Sequence, residues 1–272
     1  MGIADQIWKM FKSSNILRLK CLACESLARA AYFCAAQSPH LVDVELLPFG
    51  LHVRPAKLRR RLQERIDAIS AAECGAIVLA FGLCGKATAG LAARAVPLVM
   101  PRAHDCVTLL LGSRERYQRE FDAEPGTYWL TKDYIERGAD TGMARSAGMD
   151  IGGDPQAMRD EYAAKYGKEN ADYLMEAMGA WQQHYRRAAF IDIGLGDSAA
   201  AETLARNEAA RRGWAFENMR GDLGLLRRLL DGDWNEDILI APPGEEVAMT
   251  GDARIVMSAK NLDRNGVGIT GL

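Results

Sequence analysis

Short apolar runs alternate with amphipathic stretches through the first part of the chain. Four runs have the length and composition of buried strands, and they cover residues 16–23, 41–47, 76–81 and 96–100. A helix is predicted over residues 56–71, because its apolar residues recur every three or four positions, and Pro55 is tolerated in its first turn. Helices are also predicted after the other strands, including one from the third strand to about Arg94. Strands that alternate with helices are typical of a parallel sheet covered by helices.

The pattern changes after residue 112 and returns near residue 188. Residues 113–187 are polar and punctuated by glycines, and strand-like runs resume at 188–193, near 215 and at 237–241. We therefore predict an α/β fold, an open parallel sheet with Rossmann-like βαβ units in two halves joined by a helical insertion. The predicted segments are an N-terminal extension (1–15), a first α/β half (16–112), a helical insertion or lid (113–187) and a second α/β half (188–272).

Composition narrows the class of protein. Hydrophobic residues make up 49%, charged residues 26%, and the formal net charge is −2, which is ordinary for a globular protein. The basic run at residues 59–61 falls on the predicted helix with acidic neighbours, so no nucleic-acid partner is expected. The sequence offers neither a signal-peptide pattern nor a membrane-length apolar run, so we expect a cytoplasmic protein without a membrane partner.

All six cysteines lie within the first 106 residues. In a reducing compartment such residues are expected to be buried, catalytic or metal-bound thiols rather than disulfides. Four consecutive predicted strands are each followed by a cysteine or histidine, and these residues are Cys24, His52, Cys84, His104 and Cys106. Ligands bind beyond the carboxyl ends of parallel strands. The sequence therefore predicts a Cys/His site at that edge.

Thiolate and imidazole are the usual ligands of zinc, and three protein ligands leave a position open for a substrate. We predict Cys24, Cys84 and Cys106 as ligands, with His104 or His52 as fourth ligand or supporting partner. Zinc is the preferred metal, while iron or an iron–sulfur cluster are alternatives. An open zinc site could hold a substrate thiol as its thiolate.

Other residues are candidates for cofactor or substrate contacts. Gly82 and Gly85 flank Cys84 and permit close approach of a ligand, and Lys86, Arg102 and Glu25 are candidate catalytic residues that would orient a substrate. Two glycines before a later helix, Gly194 and Gly196, could present backbone N–H groups to an anion, although the adjacent Asp197 or Ser198 is more simply an N-cap.

Several cysteines have simpler interpretations. Cys34 lies in an alanine-rich helix and Cys74 precedes a strand, so both are expected to be structural. Cys21 and Cys24 form a C-x-x-C pair, whose sulfurs point to opposite faces if the strand continues through Ala23. A redox pair is possible only if the strand ends earlier, and we favour the continuous strand. A metal-free cysteine hydrolase or racemase using Cys84 or Cys106 remains an alternative.

Specific motifs recur in a fixed order along the chain. They occupy residues 23–25, 50–52, 62–67, 81–85, 101–106, 111–113, 125–128, 221–223 and 242–244. Together they resemble the family called domain of unknown function 1638, over nearly the whole chain after about residue 16. The Gly-Leu-Cys-Gly and His-Asp-Cys elements are the most specific parts of this resemblance.

The resemblance also carries a functional expectation. Members of that family are often encoded beside corrinoid-dependent methyltransferases and their corrinoid proteins, in methanogens and in bacteria that demethylate methylated amines. It implies a role in one-carbon or methyl-group metabolism, with a corrinoid or pterin as a candidate substrate and a corrinoid protein or methyltransferase as a candidate partner. The leading expectation is thus a metal-thiolate methyltransferase-type enzyme or its accessory. The alternative is a non-catalytic module that binds a cofactor or docks a corrinoid protein.

Overall fold

The computed structural model describes residues 16–139, 159–160, 163–164, 167–172 and 184–260. The strands are β1 Arg18–Cys24, β2 Leu41–Leu47, β3 Ala76–Ala80, β4 Leu98–Pro101, β5 Thr127–Thr131, β6 Arg187–Asp192, β7 Ala215–Arg220, β8 Ile238–Ala241, β9 Val247–Met249 and β10 Val256–Ser258. The helices are α1 Ala28–Gln37, α2 Pro55–Ala68, α3 Cys106–Leu111, α4 Arg114–Ala123, α5 Lys132–Ala139, α6 Ala199–Arg212 and α7 Gly224–Leu230. Short 3-10 turns cover Glu25–Leu27 and Leu51–Val53.

Contacts divide the chain into two compact units. The first unit contains the residues up to Arg116 together with those from Asp222 onward, and the second unit is Tyr117–Gly221. The boundaries predicted at residues 15, 112 and 187 stay a prediction.

A five-stranded sheet with the order β2-β1-β3-β4-β8 forms the centre of the first unit. The first four of these strands are parallel, and β8 pairs antiparallel with β4. Strand β3 is buried at every position, as expected for a strand inside a parallel sheet. Helix α2 begins at Pro55 and buries Leu58, Leu62 and Ile66, so the predicted apolar face is the packed one.

The strand order reverses at the middle of this sheet. The chain passes from β1 outward to β2 and then returns across β1 to β3. Because βαβ crossovers are right-handed, this reversal places the connecting helices α1 and α2 on opposite faces of the sheet. The loops after β1 and β3 therefore diverge, which makes a crevice at their carboxyl ends.

The second unit has its own parallel sheet, with the order β5-β6-β7. Helix α6 connects β6 to β7 and buries Ala201, Ala205 and Ala209. These alanines pack in one core with Tyr128, Leu130 and Phe190 of the sheet.

The predicted α/β class with a mostly parallel sheet and βαβ units is confirmed. Several details differ from the sequence prediction. Strand β8, predicted within the second half, pairs antiparallel with β4 in the first sheet, and β9 and β10 were not predicted. The helix expected up to Arg94 is absent, since the described backbone from Cys84 to Gly90 forms turns with positive φ at its start. Strand β5 was not predicted, because it lies in a glycine-punctuated stretch that we interpreted as helical. None of the described helices is long and apolar enough to span a membrane.

Candidate functional site

Three cysteines lie at the carboxyl ends of three adjacent strands. Cys24 is the last residue of β1, Cys84 follows β3 by four residues, and Cys106 follows β4 at the start of α3. The sheet order makes β1, β3 and β4 neighbours. Residues from separate parts of the sequence therefore meet at the crevice where the strand order reverses.

The segments after β3 and β4 continue side by side beyond the sheet. The backbone N–H of Leu83 donates to the carbonyl of Ala103 at 2.8 Å, and that of Cys84 donates to the carbonyl of His104 at 2.9 Å. Glycine at position 82 is required for this approach, because a Cβ there would lie 2.5 Å from the backbone nitrogen of Asp105. Gly82 thus acts by bringing the Cys84 segment against the segment that precedes Cys106.

The backbone at Cys84 is left-handed. Cys84, Gly85 and Lys86 have φ angles of 46°, 64° and 71°, a conformation that is unfavourable for the two non-glycine residues. A guanidinium N–H of Arg59 donates to the carbonyl of Lys86 at 2.6 Å, and this hydrogen bond stabilises the turn. Strained backbone of this kind occurs at functional sites, where the surrounding structure holds a side chain in place.

Electrostatics also link the three cysteines. Burial raises the pKa of the Cys84 thiol well above its usual range, and negative charge at Cys106, Cys24 and Asp105 raises it further. Cys24 is buried, whereas Cys84 and Cys106 are partly accessible to solvent. Without a cation, these surroundings therefore favour the protonated form of the Cys84 thiol.

The cluster contains no disulfide, since none of the six cysteines, all in the described region, forms one. Within the described ranges no group of three or more Cys, His, Asp or Glu side chains is arranged to hold a metal ion. The three thiols are thus close enough to interact electrostatically, but within the described ranges they do not form a ligand set for a metal ion.

Asp105, the residue before Cys106, is a site residue that the sequence patterns did not single out. Its carboxylate caps α3, accepting from the backbone N–H groups of Val107 at 3.0 Å and Thr108 at 3.3 Å. This cap fixes the start of the helix and hence the position of Cys106. An aspartate directly before an apolar run is a recognised signal for a helix start, so the cap could have been predicted.

Glu25 lies in the segment after β1 and His52 in the segment after β2, and a hydrogen bond connects these two segments. The Glu25 carboxylate accepts a 2.6 Å hydrogen bond from the backbone N–H of Phe49. The Phe49 ring lies 5.4 Å from the His52 ring, centroid to centroid. Burial lowers the pKa of His52, so its imidazole is neutral at neutral pH, which is the form that binds metals. Glu25 therefore positions the loop that carries His52.

The other charged candidates are placed differently. The side chains of His104 and Lys86 are exposed. Arg102 donates to the backbone carbonyls of Glu236 and Val256, which ties the segment after β4 to the segments around β8 and β10. Among the described residues, the Arg102 guanidinium thus connects backbone segments to one another.

Gly194 and Gly196 lie after β6 in the second unit, and both have positive φ. The Asp192 carboxylate accepts from the N–H of Gly194 at 2.9 Å and from the Ser198 hydroxyl at 3.0 Å. Asp197 accepts from the N–H of Ala199 at the start of α6. Aspartates of this loop thus accept hydrogen bonds from its own N–H and hydroxyl groups. The loop belongs to the second unit, whereas the cysteine cluster belongs to the first.

The other cysteines are core residues. Strand β1 continues through Cys24, which confirms the favoured interpretation of the C-x-x-C pair. Cys21 is buried on the far side of the strand, and burial raises its pKa to about 12. Burial likewise raises the pKa of Cys34 to about 11. Cys74 is buried just before β3.

Comparison with known proteins identifies a family for this chain. No curated protein and no solved structure matches the chain. The model of the family described as "Protein of unknown function (DUF1638)" matches residues 46–230, a range that includes Cys84 and Cys106 and begins after Cys24. This range covers more than half of the sequence, and the chain therefore belongs to the DUF1638 family.

Proposed function

We propose that this chain is a metal-thiolate protein, with zinc as the metal, that serves methyl-group transfer. The observation that carries the proposal is the convergence of Cys24, Cys84 and Cys106 from three adjacent strand ends, at the point where the strand order reverses. Thiolates are the preferred ligands of zinc and other soft metal ions.

The raised pKa of Cys84 favours a metal site over a metal-free nucleophile. A nucleophilic cysteine needs a lowered pKa, normally from a nearby cation or histidine. At Cys84 the surroundings act in the opposite direction, through burial and through negative charge at Cys106 and Cys24. A bound cation reverses this balance, because a coordinating thiol is deprotonated outright.

The side chains must reorient for the metal to bind. The described side chains are not arranged as a ligand set, so the proposal includes rotation of the cysteines about their Cα–Cβ bonds. Three thiolates leave a fourth position for the neutral imidazole of His52 or for a substrate. Iron and iron–sulfur clusters use the same ligands, and elemental analysis distinguishes them from zinc.

The link to methyl transfer rests on the family resemblance. A thiolate-bound zinc supplies Lewis acidity, which would lower the pKa of a substrate thiol. Candidate methyl donors are a methylated corrinoid or pterin. In this reaction Lys86, exposed beside Cys84, would contact the anionic parts of such a substrate.

The decisive measurement is the metal content of the intact protein, purified without added metal and analysed for zinc and iron. We expect about one metal ion per chain, lost in Cys84→Ser and retained in the control Cys74→Ser, whose thiol lies outside the cluster. A content below about 0.2 per chain, unchanged by Cys84→Ser and unchanged after incubation with Zn²⁺, would contradict the proposal. Methyl transfer is then tested with methylcobalamin and a thiol acceptor. The reaction is monitored by the change in the absorption spectrum of the corrinoid.

A further inference from the structure

A cluster of arginines lies at the carboxyl edge of the first sheet, where β4 and β8 meet. Arg102 directly follows β4, Asp237 directly precedes β8, and the two strands pair antiparallel. The backbone N–H of Arg102 donates to the carbonyl of Asp237 at 2.8 Å. Arg114, at the start of α4, and Arg228, in α7, both reach the carboxylate of Asp237. We call Arg102, Arg114 and Arg228 the arginine cluster.

The Asp237 carboxylate lies among the three guanidinium groups. Arg114 donates through Nε and Nη2 to Oδ1 of Asp237, at 2.9 and 2.6 Å. Nη2 of Arg228 donates to Oδ2 at 3.3 Å. Burial lowers the pKa of Arg102, and the positive charges of Arg114 and Arg254 lower it further. Arg102 therefore lies in surroundings where positive charge is in excess.

A second ion pair beside the cluster does not remove this excess. Asp252 accepts hydrogen bonds from Arg254 at both of its carboxylate oxygens, so the charges of these two residues cancel. The remaining charges are three guanidinium groups against the one carboxylate of Asp237. This difference, three minus one, leaves two positive charges at the edge of the sheet.

Arg228 retains hydrogen-bond donors that a ligand could use. A guanidinium group has five N–H donors, and among the described residues those of Arg228 reach the Asp237 carboxylate alone. The Nε of Arg228 is buried and has no hydrogen-bond partner in that part of the chain. A buried donor without a partner is costly and needs an explanation. The Arg228 side chain as a whole is 32% exposed, so a solute can reach it.

We propose that the arginine cluster binds an oxyanion of the phosphate type, the phosphate group of a small phosphorylated ligand. Guanidinium groups bind phosphate oxygens through pairs of parallel N–H donors. A phosphate monoester carries about 1.5 to 2 negative charges near neutral pH, which matches the excess charge of the cluster. The inference does not depend on the proposed metal site, because it uses other residues and another kind of ligand.

The test titrates the intact chain with inorganic phosphate at constant ionic strength, kept with sodium chloride. Binding is followed through the arginine Nε–H signals in the two-dimensional proton–nitrogen NMR spectrum, with the Arg228 signal assigned by its absence in Arg228→Gln. We expect a saturable shift of the Arg228 signal. In Arg228→Gln, followed through the Arg114 signal, the Kd for phosphate should rise at least about tenfold. The control is Arg206→Gln, which removes the same charge from an exposed ion pair on α6 and should leave the Kd unchanged.

Asp237→Asn separates anion binding from a purely structural role. Removing this carboxylate removes the competitor of the ligand, so the Kd for phosphate should fall several-fold. The variant should also be less stable in urea, and phosphate should restore its stability because binding favours the folded state. If the arginines only hold Asp237 and the neighbouring backbone, the variant is destabilised and phosphate does not restore it.

Three results would overturn the inference. The first is that no saturable shift occurs in the wild type or in Asp237→Asn. The second is that sodium chloride alone produces the same shift, which would show general screening of charge. The third is that acetate binds as tightly as phosphate at the same ionic strength, which would make the ligand a carboxylate.

Discussion

Single residues decide whether the cysteines meet. Gly82 permits the approach of two backbone segments, Asp105 caps the helix that begins with Cys106, and Arg59 braces the left-handed turn at Cys84. None of these three residues is a proposed ligand. The geometry of the site is therefore set by the residues around the ligands as much as by the ligands.

Gly82→Ala should disturb both the fold and the site. The added Cβ would lie 2.5 Å from the nitrogen and 2.6 Å from the Cα of Asp105, so the backbone must shift. We expect a loss of roughly 1–3 kcal/mol in unfolding free energy together with weaker Zn²⁺ binding. The control is Gly75→Ala, where the nearest atom is the carbonyl oxygen of Arg18 at 3.8 Å. Equal stability of the two variants in urea would contradict the close-approach argument.

Buried thiols should make the protein sensitive to alkaline pH. The pKa of Cys21 is raised to about 12 in the folded protein, against about 8.5 when unfolded. The folded state therefore binds more protons above that pH, and this contribution to stability is intact below about pH 8.5 and is lost as the pH rises towards 12. The predicted slope from this thiol is about 1.4 kcal/mol per pH unit in that window.

Urea unfolding at several pH values between 8 and 10.5 measures this slope. In Cys21→Ala, the dependence of the unfolding free energy on pH should become less steep by about 1.4 kcal/mol per pH unit. The control is Val78→Ala, which truncates the residue that pairs with Cys21 in β3 and should lower stability without changing the slope. An unchanged slope in Cys21→Ala would show that this thiol ionises normally in the folded protein.

At the scale of elements, the site is assembled by loops held to one another. The 3-10 turn after β1 contacts α3 and, through the Glu25 carboxylate, holds the loop after β2. The segment after β3 is hydrogen-bonded to the segment after β4, so all four parallel strands end in segments joined by specific contacts. Because these contacts are between loops, they can be broken without removing a strand from the sheet.

Glu25→Ala should release the loop that carries His52. The hydrogen bond from the Phe49 N–H to a charged carboxylate is lost, at a cost of about 1.5–3 kcal/mol in stability. Since burial lowers the pKa of His52, exposure of the loop should raise that pKa towards its usual value of about 6.5.

An NMR titration of the imidazole protons, assigned by comparison with His52→Gln, reports this pKa. Glu25→Gln is the matched control, because its side-chain carbonyl can still accept from the Phe49 N–H and should keep the pKa of His52 low. If the pKa of His52 is the same in Glu25→Ala as in the wild type, the hydrogen bond between Glu25 and Phe49 does not hold the loop in place.

At the scale of the whole molecule, the second unit is an insertion in the first. The chain leaves the first unit after Arg116 and re-enters it at Asp222. The N–H of Asp222 donates to the carbonyl of Leu110 at 2.8 Å. The two connections are therefore close together within the first unit, as is common where one compact unit is inserted in another.

Replacement of residues 117–221 by a flexible linker of about five glycine and serine residues should leave the first unit folded. We expect cooperative unfolding in urea and, since all three cysteines of the cluster lie in the first unit, retention of the metal. The excised chain with Cys84→Ser is the control for metal content. Non-cooperative unfolding of the excised chain would show that the first unit depends on the second for its stability.

The sequence determined the local elements and the candidate residues. Periodicity identified the parallel strands β1 to β4 and helix α2, because burial of one face requires regularly spaced apolar residues. It failed after β3, where the left-handed backbone from Cys84 to Lys86 replaces a helix. Composition and periodicity do not report backbone strain, which is sustained by distant contacts such as that from Arg59.

Only the tertiary structure decided the strand order that brings the predicted residues Cys24, Cys84 and Cys106 to neighbouring strand ends. The order β2-β1-β3-β4-β8 makes the ends of β1, β3 and β4 adjacent, and strand order depends on long-range packing that local patterns do not encode. The sequence likewise did not indicate that β8 joins the first sheet, or that three arginines gather around Asp237. These features arise from contacts between residues far apart in the chain, so they exist only once the sheet has formed.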